Sequence, residues 1–188
     1  MVRAILAGTK TQTRRAVKPQ PQSVDEMTRT TVPYNGSGEF LAASLRCPYG
    51  KPGDRLWVRE TWVVANEHPD MRGRAERGDK IAYRARMDGF GAAFDAGNVL
   101  VRWRSPIHMP RWASRITLEV TKVRVERLQD ISEEDARAEG VVLRYDASKY
   151  HGGAHRTEFA ILWRQIHGEG AWAWNPWVWV VEFRRITP

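Results

Sequence analysis

Two runs of alternating apolar and polar residues constrain the fold of this chain more than any other feature. The first run covers Arg115–Leu128, and its alternation changes phase at Thr121-Lys122. The second run is the closing segment Trp177–Phe183. Because alternate residues of a strand point to opposite faces of a sheet, the first run predicts a long strand pair and the second a single strand. The phase change predicts a bulge or bend of the kind with which barrels turn a corner.

Shorter signals complete an α+β pattern. Ser132 and Asp135 have the spacing of a capping box that opens a helix, and Gly140 stands where a glycine commonly ends one. Strands separated by a few helices favour a small, mainly β barrel with a few peripheral helices. The further predicted elements are a helix at Val2–Leu6 ended by Gly8, strands at Leu56–Val63 and Ile81–Arg84, and helices at Glu133–Glu139 and Thr157–His167.

Length and composition limit the organisation of the chain. With 188 residues, of which 42% are hydrophobic, the chain can bury one core, so we expect a single domain over 1–188. Two stretches, near 18–47 and 65–100, are rich in turn-forming residues and are predicted to be loop insertions. No apolar run reaches membrane-spanning length and no secretory leader is evident, so no membrane partner is expected.

Cysteine and histidine usage bears on redox state and on metals. Cys47 is the only cysteine, which excludes an internal disulfide and favours a reducing, cytoplasmic environment. His151 and His155 are four residues apart but stand in a glycine-rich stretch, and the other histidines lack the spacing of metal ligands. We therefore expect no metal and no other cofactor.

The charge of the chain favours a polyanionic partner. The net charge is +8, and nucleic acid is the first candidate for such a protein. The chain also has nine tryptophans, whose rings could stack on nucleobases, although most are expected to pack in the core. A basic surface can serve solubility alone, so both interpretations stay open.

One short segment gathers groups that could carry chemistry. Gly8, Lys10, Thr13 and Arg15 form the pattern G-x-K-x-x-T-x-R. If the chain runs here from a helix through a turn into an extended segment, the three polar side chains can face one pocket. A lysine and a threonine that meet out of bulk water form a base and nucleophile pair, and the arginine offers a fork for a phosphate, a carboxylate or a polarised carbonyl. The alternative interpretation is a solvated basic turn.

The order of these features resembles that of the ASCH domain, a family with a PUA-like β-barrel. The resemblance covers most of the chain outside 20–45 and 65–100. It implies a PUA-like barrel in a protein that a phage or prophage encodes and that works in the cytoplasm of a bacterial host. Four segments of the chain are similar to segments of ASCH-like phage and prophage proteins. They are CPYGKPGDRLWVRET, HMPRWASRITLEV, LQDISEEDARAEG and NPWVWVVEF.

The resemblance also implies a catalytic set. The commonest family pattern has Glu where this chain has Thr13, whereas a Thr there is found in the bacterial members that hydrolyse N4-acetylcytidine. Their set of a Lys, a Thr three residues later and a distant Glu corresponds to Lys10, Thr13 and Glu139. Thr13 would attack the acyl carbonyl, and Lys10 would take its proton if burial and Arg15 lower the lysine pKa. Glu139 would orient Lys10 or hold the base amine; otherwise it is a solvated charge beside Arg137.

A set of substrate-binding residues is implied in the same way. The strand after the Gly53-Asp54 turn borders the family's cavity, although alternation prevents all of its side chains from pointing inward. Asn175 would donate to a base edge, or it is a turn residue before Pro176. The implied binding residues are Arg15, Trp57, Arg59, Glu60 and Asn175.

Three functions compete at this point. The first hypothesis is a hydrolase that deacylates a modified nucleoside or base, an amide such as that of N4-acetylcytidine. The alternative is a module that binds RNA or a modified nucleotide without catalysis, such as a phage accessory protein. A ribonuclease ranks below both, because the chain lacks an evident acid–base histidine or metal-binding carboxylate cluster. The expected partner in every case is a nucleoside, a nucleotide or RNA.

Overall fold

A computed structural model describes residues 1–20, 47–64, 76–86, 103–143 and 153–186. The described chain has an α+β fold, as predicted. Most of the two predicted loop insertions lies outside the described residues. The helices and strands are α1 (Val2–Leu6), β1 (Gln12–Ala16), β2 (Arg55–Trp57), β3 (Trp62–Val64), β4 (Ile81–Tyr83), β5 (Thr117–Arg127), α2 (Glu133–Ala138), α3 (Ala154–His167) and β6 (Trp177–Ile186).

The chain divides into two compact units, each with its own buried cluster. Apart from a few residues at the two ends, the first unit comprises 3–55 and 119–185 and the second comprises 56–118. In the first unit, side chains from α2, α3 and β6 pack together, among them Ala136, Phe159, Trp163, Val178 and Val180. In the second unit the cluster consists of Trp62, Met109 and Ala113.

The closing strand β6 lies inside a four-stranded sheet of order β1-β6-β5-β2. It pairs antiparallel with β1, from Gln12 opposite Glu182 to Ala16 opposite Val178. The four consecutive residues 178–181 are each 3% exposed or less, so both faces of β6 are covered. A strand buried on both faces gains from a continuous apolar run, which explains why the end of the chain is so rich in valine and tryptophan.

The strand β5 is a single continuous element rather than the predicted pair. Its phase change is real: Leu118 and Val120 are buried at even positions, whereas Val125 is buried at an odd one. The face that β5 turns inward therefore changes between Val120 and Val125. This change lets one strand offer apolar side chains first to one face and then to the other.

The prediction of one strand over Leu56–Val63 is wrong. The segment is divided between β2 and β3, and β3 pairs antiparallel with β4 in a separate two-stranded sheet. Between β2 and β3, the Glu60 side chain is 1% exposed and accepts two hydrogen bonds of 2.9 Å from the Arg115 guanidinium. A buried carboxylate must be paired, so the chain leaves the strand path where Glu60 reaches Arg115.

The helix α2 begins and ends as its sequence predicts. The Ser132 hydroxyl accepts a hydrogen bond of 3.0 Å from the Asp135 backbone N–H, which is the predicted N-terminal cap. The helix ends one residue before Glu139, and Gly140 follows with φ of +73°. No helix in the described ranges is both long enough and apolar enough to span a membrane.

We predict that Gly140→Ala destabilises the protein more than Gly8→Ala does. Both glycines have φ near +75°, so a side chain costs about 1–2 kcal/mol in backbone strain at either position. At Gly140 an added Cβ would also lie 2.8 Å from the Lys10 Cβ and 2.9 Å from the Ala4 Cβ, whereas at Gly8 it meets nothing within 4 Å. Overpacking adds about 1–3 kcal/mol.

Urea unfolding at neutral pH measures both free energies. Equal losses of unfolding free energy in the two variants would contradict the prediction. They would show that the segment between α1 and β1 moves away from the added Cβ at Gly140 without loss of stability.

Candidate functional site

Lys10 lies between α1 and β1 and contacts the end of α2. Its Nζ donates two hydrogen bonds to Glu139, both of 2.7 Å, one to the backbone carbonyl oxygen and one to Oε2. The backbones also meet, because the Thr11 N–H donates to the Ala138 carbonyl at 2.8 Å. The side chains of Lys10 and Glu139 are each 5% exposed. Two residues separated by 129 positions thus form a buried ion pair.

The surroundings of Lys10 lower its pKa. Burial is the largest cause, because it disfavours the charged ammonium. The Glu139 carboxylate opposes this effect, whereas the nearby charges of Arg15 and Arg14 add to it, and the net direction is downward. Lowering the pKa of a lysine increases the fraction that is neutral, and only the neutral amine can accept a proton.

Arg14 lies on the buried face of β1, the face that it shares with Gln12, and its side chain has no exposed surface. Its guanidinium donates to Glu126 on β5, to Asp135 on α2 at 2.7 Å and to Glu139 Oε1 at 3.3 Å. The guanidinium carbon also lies 5.9 Å from the centre of the Phe159 ring on α3. Arg14 therefore holds one oxygen of Glu139 while Lys10 holds the other.

A second arginine completes this network. Arg124 donates to Glu126 at 3.0 Å, to Asp135 at 2.9 Å and to Glu182 on β6. Burial alone would raise the pKa of Asp135, but the charges and hydrogen bonds of Arg14 and Arg124 outweigh it, and the pKa lies below its usual value. Asp135 therefore stays ionised and paired with both arginines.

Sequence reasoning missed Arg14, Arg124 and two of the carboxylates that they contact, Glu126 and Glu182. The sequence does contain a signal, which is the spacing of three polar residues: Gln12 and Arg14 follow Lys10 at every second position. In the structure all three are buried. The Gln12 amide donates to the Asp135 carbonyl at 2.8 Å, so these alternate residues all reach the α2 segment. Polar residues at every second position of a strand indicate a polar buried face as well as an exposed one.

Thr13 and Arg15 lie on the other face of β1. Thr13 is half-buried and stands opposite Val181 in β6, while Arg15 is exposed and stands opposite Trp179. Since neighbouring residues of a strand point to opposite faces, Thr13 lies on the face of β1 opposite to Gln12 and Arg14, which are buried as Lys10 is. The structure thus brings Lys10 and Glu139 together but does not bring Thr13 to them.

Three of the predicted substrate-binding residues lie in the second unit. The Arg59 guanidinium carbon is 4.7 Å from the centre of the Trp57 ring, and Arg59 is exposed. Glu60 differs from its neighbours, because both of its carboxylate oxygens accept hydrogen bonds from Arg115. Its geometry is that of a structural ion pair.

Asn175 has the geometry of a turn residue. Its φ is +45°, and its side-chain Oδ1 accepts a hydrogen bond of 2.8 Å from the Gln129 backbone N–H. Its backbone carbonyl accepts a further hydrogen bond of 3.1 Å from Arg127. These contacts connect the end of β5 to the start of β6, which agrees with the second of the two interpretations offered for this residue.

Comparison with known proteins adds no relative: no family model, no curated protein and no solved structure matches the chain. Within the described residues, no group of three or more histidine, cysteine or acidic side chains has the arrangement of a metal site.

We predict that Arg14→Met lowers the free energy of unfolding by about 3 kcal/mol, whereas Arg15→Met changes it by less than about 0.5 kcal/mol. Removing one partner of a buried ion pair commonly costs about 3–5 kcal/mol. We expect the lower end of this range, because the three carboxylates that lose Arg14 still accept hydrogen bonds from Arg124 or Lys10. The measurement is urea unfolding at pH 7; comparable losses in the two variants would contradict the structural role of Arg14.

Proposed function

We propose that this protein is a hydrolase that removes the acyl group from an exocyclic amide of a nucleobase, with N4-acetylcytidine as the model substrate. The observation that carries the proposal is the buried 2.7 Å contact between Lys10 Nζ and Glu139 Oε2. The resemblance to the ASCH family pairs these two residues in catalysis although they are far apart in sequence. The sheet order β1-β6-β5-β2 with helices beside it also supports the proposed PUA-like fold.

The proposal assigns to Lys10 the role of the base. A neutral amine has two N–H bonds, and Lys10 has two acceptors in Glu139, the backbone carbonyl and Oε2. Its lone pair is then left to accept a proton. The lowered pKa of Lys10 supports the same state, because it increases the neutral fraction at a given pH.

Water is the nucleophile that the geometry favours. Thr13, the nucleophile implied by the resemblance, lies on the face of β1 opposite to Gln12 and Arg14, which are buried as Lys10 is, and this counts against direct proton transfer between Thr13 and Lys10. In the proposed step, Lys10 takes a proton from water while the oxygen bonds to the acyl carbon. The carbon–nitrogen bond then breaks as Lys10 returns that proton to the leaving nitrogen, which yields the amino base and a carboxylic acid.

Arg14 supports this step without contacting the substrate. Its hydrogen bond to Glu139 Oε1 orients the carboxylate so that Oε2 faces Lys10. Since a guanidinium keeps its charge at any physiological pH, this orientation does not change when Lys10 gains or loses a proton. Arg14 is therefore a positioning residue.

We predict that the purified protein releases cytidine and acetate from N4-acetylcytidine and that Lys10→Met lowers kcat/KM by about 10²–10⁴. Chromatography of the nucleoside products measures the rate. Lys18→Met, which removes an exposed lysine near the site in sequence, is the matched control and should leave the rate unchanged. Absence of turnover by the unaltered protein at high concentration, with this and other acylated nucleosides, would refute the hydrolase.

The pH dependence provides a second readout of the same prediction. The rate should rise with pH and level off once Lys10 is neutral, with a midpoint below the value of 10.5 for a solvated lysine. Because the Glu139 charge raises the pKa of Lys10, Glu139→Gln should move this midpoint to lower pH. A midpoint that does not move would show that another group governs the profile.

A separate variant distinguishes water from threonine. We predict that Thr13→Val, which preserves shape but removes the hydroxyl, keeps kcat/KM within about tenfold of the unaltered protein. A loss as large as that of Lys10→Met would instead make Thr13 the nucleophile and would require β1 to rearrange when substrate binds. Circular dichroism confirms that the variant is folded before its rate is compared.

A further inference from the structure

In the second unit, one tryptophan is flanked by two exposed arginines. The guanidinium carbon of Arg59 lies 4.7 Å from the centre of the Trp57 ring, and that of Arg111 lies 5.7 Å from it. We call Trp57, Arg59 and Arg111 the Trp57 platform. Nothing in the sequence relates Arg111 to Trp57, because 54 positions separate them and only the fold brings them together.

The two arginines are available to an anion. Arg59 donates one hydrogen bond of 3.2 Å to the Ile107 carbonyl, and within the described residues its other donors form no hydrogen bond. The neighbouring carboxylate, Glu60, is already paired with Arg115. Within the described part of the chain, no carboxylate forms an ion pair with Arg59 or Arg111.

The described residues of the second unit are strongly basic. These residues, in 56–64, 76–86 and 103–118, include eight Lys and Arg side chains but three carboxylates, a net charge of +5. One of those carboxylates, Glu60, is buried and neutralised by Arg115. The field at the surface of this unit therefore favours a polyanion over a single small anion.

The platform combines the two features that bind single-stranded nucleic acid. An arginine held against an indole ring loses few alternative rotamers when it binds a phosphate, and its planar fork matches two phosphate oxygens. Aromatic and guanidinium planes also provide surfaces on which unpaired bases stack. Ile107, which is 68% exposed and touches Arg59, adds an apolar surface beside the charges.

We infer that the Trp57 platform binds the phosphodiester backbone of a single-stranded polynucleotide, with Arg59 and Arg111 each contacting a phosphate. This inference does not depend on the proposed hydrolase, because it rests on contacts in the second unit alone.

The test is fluorescence anisotropy with the full chain and a labelled, unmodified oligonucleotide of about 12 residues and mixed sequence. Affinity is measured at about 50 mM and about 200 mM salt, for RNA and for DNA separately. The test variant is Arg59→Ala/Arg111→Ala. Its matched control is Arg77→Ala/Arg84→Ala, which removes two exposed arginines of the same unit outside the platform.

The platform variant should weaken binding at least about tenfold at low salt and reduce the slope of log K against log salt by about 1.4, the value for two lost contacts with a single strand. The control variant should weaken binding by less than about threefold. Equal affinity for RNA and DNA supports the inference. A higher affinity for RNA also supports it and indicates contact with the 2′-hydroxyl.

Two results would overturn it. One is the absence of binding by the unaltered protein to either oligonucleotide at low salt. The other is an equal loss in the two double variants, which would mean that net charge and not the platform attracts the strand. Neither measurement involves turnover, so a failure here leaves the hydrolase proposal as it stood.

Discussion

The fully buried guanidinium of Arg14 is the constraint on which the first unit depends. A guanidinium removed from water is stable only when its N–H groups donate to acceptors. The acceptors of Arg14 are the carboxylates of Glu126, Asp135 and Glu139. One comes from β5, one from α2 and one from the residue after α2. Satisfying a single side chain of β1 thus fixes the position of a strand and a helix relative to it.

The same arrangement gives Lys10 its particular chemistry. The arginines of this network keep their protons at any physiological pH, and the paired Asp135 has a lowered pKa and keeps its charge. Lys10 has a pKa that burial lowers despite the contact with Glu139. Among the cations of the network, Lys10 is therefore the group that can exchange a proton, and the fixed charges around it hold its partner still.

The two units treat their charges in different ways. In the network around Arg14, carboxylates and arginines are interleaved and are buried or half-buried, so their charges are neutralised locally. In the second unit, Glu60 and Arg115 form such a pair, but Arg59 and Arg111 lie exposed against Trp57. Buried pairing supports structure and proton transfer, whereas exposed arginines on an aromatic ring are suited to binding an anion from solution.

Amino-acid order alone determined the features that depend on neighbours a few residues apart. The run that forms β6, the phase change in β5 and the Ser132 cap of α2 all follow from alternation or from a hydrogen bond spanning three residues. The local pattern after Gly8 singles out Lys10, whereas its partner Glu139 follows only from a resemblance, because nothing local relates residues 129 positions apart. Tertiary structure alone decided the burial of Arg14, the break between β2 and β3, and the face on which Thr13 lies. These three features depend on contacts between residues that are distant in sequence. Packing, strand register and the pairing of buried charges determine those contacts, and local propensity does not.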